Sequence, residues 1–207
     1  ERARPIEPPQ LAERRLRFSD PRVSQDYLVR TYLAPERDSG EQEKAAALVY
    51  LSDLLGGSSA TSVLGQKLEF ESRKAVYTSA FYSGMSLDHT AFGLIVVPVP
   101  GRTLEEAEAD LDQVLADFIA DGVDLEQFER IRTQIRAGQI YAQDSLQGRA
   151  RRYGEALTSG LTVEDVQAWP EILQAVTPED VLALAAEVFD KRRAVTGFVT
   201  RTQEVTQ

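Results

Sequence analysis

Hydrophobic positions along this chain follow two periods, and the switches between them mark out its elements. Near the start, 12–18 and 26–33 read as two strands around Asp20-Pro21, with Tyr27, Val29, Thr31 and Leu33 on one face of the second. After a turn over 35–40, the spacing from Glu41 to Leu55 changes to three and four. Ala47, Leu48, Leu51, Leu54 and Leu55 form one stripe behind an acidic first turn, which is the pattern of an amphipathic helix. Gly56 and Gly57 suit the left-handed residue that closes a helix. Ser58, Ser59, Thr61 and Ser62 are candidate N-caps for a short helix carrying Val63, Leu64 and Leu68. At Ala75 the period becomes two, with Val76, Thr78, Ala80 and Tyr82 on one face and Tyr77, Ser79 and Phe81 on the other. A connection over 87–90 leads to a second strand, 91–99. Its consecutive Leu94, Ile95, Val96 and Val97 fit a strand covered on both faces, and Pro98 and Pro100 stop it.

The second half reads as helices. Thr103 and Glu106 form a capping box for a helix to about Ala120, which Asp121-Gly122 ends. Asp124 caps a long helix from Leu125 towards Leu157, with Gly148 as the candidate break; Gly138, Ala142 and Gly148 mark either close packing or a kink. Thr162 with Asp165 caps another helix, ended near Trp169-Pro170, and Thr177-Pro178 starts the last one. A final strand spans 193–200. Without strict βαβ alternation this is an α+β fold: a mostly antiparallel sheet of about five strands with helices packed on one face. Residues 1–10, charged and proline-rich, read as a linker, 11–202 as a single domain and 203–207 as a tail.

Composition narrows the chemistry. The chain has 207 residues, long enough for one large domain or two small ones, and no apolar run approaches the ~20 residues that cross a bilayer. It opens on Glu1 with no apolar signal core, as a processed piece would. Lys and Arg total 23 against 33 Asp and Glu, a net charge of −10, which disfavours nucleic acid and anionic lipid surfaces as partners. Zero cysteines exclude disulfides, thiolate metal sites and cysteine nucleophiles. No Gly-x-Ser-x-Gly or Ser-x-x-Lys nucleophile motif appears, and a Ser-His relay has only His89 to draw on. Arg149, Arg151 and Arg152 beside Tyr153 read either as an anion site or as a solvated helix face with the tyrosine packed inward.

One stretch, 54–84, carries a resemblance. A hydrophobic helix ending at Leu55-Gly56-Gly57-Ser58, then Ser62-x-Leu64-x-x-x-Leu68, then a strand with Ser79-Ala80-Phe81, is similar to the pitrilysin/insulinase family of zinc peptidases and their processing-peptidase relatives. Asp121-Gly122-Val123, the run 153–157 with Gly160-Leu161-Thr162, and the stretch from Val176-Thr177-Pro178 to the last strand follow in family order. The resemblance spans about 16–199 and implies one half of such a peptidase, one copy of a repeat whose other copy is a homologous zinc-bearing N-terminal half or subunit.

The family's catalytic signature is His-x-x-Glu-His with a further Glu downstream. One histidine and no cysteine cannot build it, so the chain is expected to hold no metal and to be inactive alone, with zinc supplied by the partner half. In such peptidases the metal-free half contributes an Arg and a Tyr, in a pattern like L-R-E-K-R-G-L-A-Y, that bond the bound peptide near the scissile carbonyl. Aligned without a gap from Leu68 to Ala75, this chain has Glu69 at the Arg position and Val76 at the Tyr position. A one-residue shift recovers Tyr77 but places Phe70 where Arg belongs, and the two registers face opposite sides of a strand. Tyr77 and the nearby Arg73 are therefore the candidate substrate-binding residues, each weighed against a packed or solvated side chain. The resemblance implies a non-catalytic half-domain that walls a proteolytic chamber and binds extended peptide. The alternative is a structural or assembly subunit of the same fold that has lost proteolysis. Bacterial relatives of this kind are often exported, which carries over an expectation of a periplasmic or cell-envelope location.

Overall fold

A computed structural model of the chain describes residues 10–202; the tail 203–207 and all of the expected linker except Gln10 lie outside them. Helix starts follow the local capping chemistry. Thr103 with Glu106, Thr162 with Asp165, and Thr177 with Asp180 form reciprocal capping boxes for α2 (Leu104–Asp121), α5 (Val163–Ala175) and α6 (Pro178–Val188). Each box satisfies two backbone donors that the first turn leaves open. Asp124 caps α3 (Leu125–Tyr141), which is shorter than expected. The chain breaks over 142–145 and restarts on Ser145, whose Oγ accepts from the Gly148 N–H, as α4 (Leu146–Thr158). The break thus belongs to a new N-cap and not to a kink at Gly148. Pro170 does not end α5, because Leu173 beyond it is fully packed in the core and outweighs one lost helical bond.

The first helix, α1 (Glu43–Gly56), differs from a one-stripe amphipathic helix: nine of its residues are buried, because it lies between the sheet and α3, α5 and α6. Five strands form one sheet in the order β1 (Arg14–Ser19), β5 (Ala194–Thr200), β2 (Tyr27–Ala34), β4 (Thr90–Pro98), β3 (Ala75–Tyr82). All pairs are antiparallel except β1 with β5. Leu28, Tyr32, Phe92, Leu94, Val96 and Phe198 point from the sheet into the helices and make the core. Arg30 lies among them, fully buried, and donates to Thr196 Oγ1 (3.1 Å), Glu108 Oε1 (2.8 Å) and Asp112. Glu108 also receives Arg15 from the edge strand, so one charged knot ties β1 and β2 to α2. A buried cation is tolerable only with such partners.

Helices cover one face of this sheet, and among the described residues none covers the other. The open face carries Tyr27, Val29, Thr31 and Leu33, as their alternation predicts, with Ile95 and Val97 half-buried beside them. The expectation that 94–97 is covered on both faces is therefore corrected: Leu94 and Val96 are buried under helices, while Ile95 and Val97 belong to the open side.

Candidate functional site

The stretch 54–84 builds the corner where the open face meets the free edge of β3. Gly56 and Gly57 do not supply a left-handed cap; Gly57 is right-handed, with φ −66° and ψ −49°. Gly56 is needed for space instead, since a Cβ there would sit 1.9 Å from the Ala80 nitrogen. The short helix that follows is a π-helical segment, Gly65–Glu71, started by Ser62, whose Oγ accepts from the Gly65 N–H at 3.3 Å. Gly65 also lies against backbone, its notional Cβ falling 2.0 Å from the Ser59 carbonyl oxygen. Gly56 thus seats α1 closely on β3, and Gly65 seats the π-helical segment against the turn at Ser59. Such π turns are uncommon and concentrate at functional sites.

Arg73 then turns the chain into β3 with φ 51°, the one non-glycine residue in left-handed backbone among those described. In the gapless alignment Arg73 stands where the family pattern has glycine, and this backbone is the reason glycine suits the place. Arg73 is therefore a turn residue, exposed, before the strand begins. Tyr77 sits on the open face opposite Val97 and is half-exposed. A bulge between Ala75 and Tyr77 leaves Val76 as the extra residue, so Val76 and Tyr77 are both exposed. That bulge breaks the strict alternation expected here: Val76 leaves the face of Thr78, Ala80 and Tyr82. No hydrogen bond joins Arg73 to Tyr77, and among the described residues neither side chain has a partner.

Around Tyr77 the open face is apolar. Phe81 lies over Gly93, where a Cβ would come within 2.0 Å of its ring, and Val29 similarly shelters Gly197. Leu16 and Phe18 extend this surface to the opposite edge, with 62% and 56% of their areas exposed. Glu69 is the residue that sequence reasoning did not single out as a functional contact. Its Oε1 accepts from the Thr78 N–H (2.7 Å) and the Thr78 hydroxyl (2.6 Å), across nine residues and the Arg73 turn. The only sequence signal was its place at the pattern's Arg.

Elsewhere the polar clusters are structural. Asp165 accepts from Ser39, Gly40 and Thr162 and joins the 38–42 loop to α5, while Arg37 caps this cluster over the Trp169 ring at 4.0 Å. The hydrogen bond from Ser39 leads the set that holds the Asp165 carboxyl far below its usual range, against the opposing effect of burial. Arg151 pairs with Glu155, Arg152 reaches Gln139, and Tyr153 packs towards Ala156, Leu161 and Val166, which makes α4 a solvated face and not an anion site. His89 is a loop residue whose Nδ1 contacts Glu36 Oε2 at 2.6 Å. Among the described residues no group of three or more His, Asp or Glu is placed to hold a metal ion.

An α+β sheet with helices on one face and a glycine-seated helix corner is the architecture this chain shares with known inactive peptidase domains. The family model described as the peptidase M16 inactive domain matches residues 1–135, and the chain belongs to that family. A protease from Helicobacter pylori superposes with a TM-score of 0.85 at 20% identity, over 97% of this chain and 48% of its own. The peptidase M16 inactive domain from Pseudomonas fluorescens gives 0.76 at 16% identity, over 97% and 46%. The first half of the periplasmic protease PqqL from Escherichia coli gives 0.75 at 14%, over 97% and 44%. These likenesses concern the fold, and the chain spans about half the length of each. Among curated proteins nothing matches it.

Proposed function

We propose that this domain walls the chamber of an M16-type zinc peptidase and holds extended peptide against its open sheet face, the zinc and the catalytic base coming from a homologous partner half. One observation carries the reading: a sheet whose unhelical side presents an apolar surface, with the half-exposed Tyr77 on it beside a free edge strand. Such a surface suits an extended chain, whose side chains meet it on alternate residues. Tyr77 offers a phenolic donor to a peptide carbonyl. Arg73, at its turn, is available to a peptide carboxylate or carbonyl but not in the role of the family's paired Arg, whose place Glu69 takes.

The assembly reading, in which the fold is kept and proteolysis lost, draws on that same replacement. Mixing the domain with a zinc-bearing partner half separates the two. The chamber reading expects peptidase turnover to require the domain, chelator to abolish it, and Tyr77→Phe to lower kcat/KM about tenfold, the scale of one lost hydrogen bond to a neutral carbonyl. Turnover unchanged by Tyr77→Phe removes that residue from the chemistry; turnover that does not need the domain favours assembly. Robust chelator-sensitive cleavage by this chain alone with zinc contradicts both.

A further inference from the structure

The free edge of β3 is closed at its middle by the protein's own side chain. Among the described residues β3 has β4 on one side only, and the backbone groups on its other side are a template for a further strand. The Thr78 N–H does not serve β4: it donates to Glu69 Oε1 at 2.7 Å, and the Thr78 hydroxyl donates to the same oxygen at 2.6 Å. Glu69 hangs from the π-helical segment, which is pinned to the start of β3 by the Lys74 N–H donating to the Leu68 carbonyl at 2.8 Å. A carboxylate is a stronger acceptor for such an N–H than the peptide carbonyl of an added strand. Any strand pairing here therefore competes with an acceptor that is always present. Glu69 is only half-buried, so the carboxylate has solvent to swing into.

We propose that the β3 edge is a strand-addition site for an extended peptide and that Glu69 is its gate, yielding the Thr78 N–H to a peptide carbonyl. This rests on the reading that the domain holds peptide. The bulge at Val76 interrupts regular pairing, so the regular run is short, from Thr78 to Tyr82, and Thr78 and Ala80 within it are buried while Glu69 is in place. That length fits a few residues of peptide better than a long edge-to-edge pairing of two copies. A second copy would also bring another net charge of −10 against this one. Tyr77 and Phe81, exposed on the adjoining face, offer contacts to alternate side chains of an added strand.

The test compares the 207-residue chain with its Glu69→Ala and Glu69→Gln variants. The probe is a fluorescein-labelled ten-residue peptide of alternating serine and valine, read by anisotropy and by amide exchange at Thr78. The expected result is at least tenfold tighter binding by Glu69→Ala, with Glu69→Gln between it and the parent. Exchange at Thr78 quickens in Glu69→Ala and slows again on adding peptide. Glu69→Gln keeps a neutral acceptor in place and tests the gate even where alanine disturbs the π-helical segment. Equal affinities in all three, with Thr78 indifferent to peptide, overturn the gate but leave the open face as the peptide surface. No binding by any of them overturns both readings. A Glu69→Ala chain that dimerises and leaves the peptide unbound overturns peptide as the occupant.

Discussion

Arg73 shows how much one residue can carry without a side-chain hydrogen bond or ion pair. Its left-handed backbone turns the chain from the π-helical segment into the edge strand, and a side chain with a Cβ pays roughly 1–2 kcal/mol to stand there. Arg73→Gly is therefore expected to stabilise the fold by about 1 kcal/mol, less the extra freedom glycine gains when unfolded, measured as a higher urea midpoint with an unchanged slope. Because the guanidinium is proposed to meet peptide, the same substitution should weaken peptide binding while it stabilises the fold, so the two properties are separable at one position. Glu69 teaches the opposite lesson. Its identity was plain in the sequence, but its role depends on a turn bringing it back to Thr78, and no local pattern encodes that return.

Among the elements, what was legible was what is local. The three capping boxes join residues three apart, so their chemistry is written in adjacent letters. The Gly56-Gly57 pair was visible as a break but not for its reason, because the backbone that Gly56 must clear belongs to Ala80, in another element. The π-helical winding and the bulge at Val76 were invisible too: both insert one residue into a regular period, and period-counting averages over single insertions. Glycines of the same chain should then answer oppositely to the same change. Gly56→Ala is expected to cost about 3 kcal/mol, since neither strand nor helix backbone can move aside cheaply. Gly138→Ala in α3, where an added Cβ meets nothing, should gain about 0.5–1 kcal/mol through helix propensity. Paired thermal melts of the two variants check both signs.

At the scale of the whole molecule, Asp165 couples stability to pH. Its folded carboxyl is held below the ordinary value of 3.8, by the Ser39 hydroxyl first and by Thr162 and Gly40 with it. A depressed carboxylate stabilises the fold fully above about pH 4, and that contribution drains away as pH falls towards the lowered folded value. The gap in melting temperature between the parent and Asp165→Asn should therefore be widest at neutral pH and narrow steadily below pH 4; a gap that stays constant would mean the hydrogen bonds matter and the charge does not. The open sheet face also belongs to this scale: alternation named Tyr27, Val29, Thr31 and Leu33 as one side of a strand, but only the assembled layers reveal that no helix among the described residues covers it. Strand β1, every residue of it exposed, adds the last consequence. Its sheet partner is β5, with Ser19 meeting Thr200 across 181 positions. Neither β1 nor β2 can pair on its β5 side before Ala194–Thr200 is made, so the seam and the middle of the sheet close together, through contacts of long sequence separation that slow folding. Exposed along its whole length and paired on one side only among the described strands, β1 is where local opening of the sheet costs least.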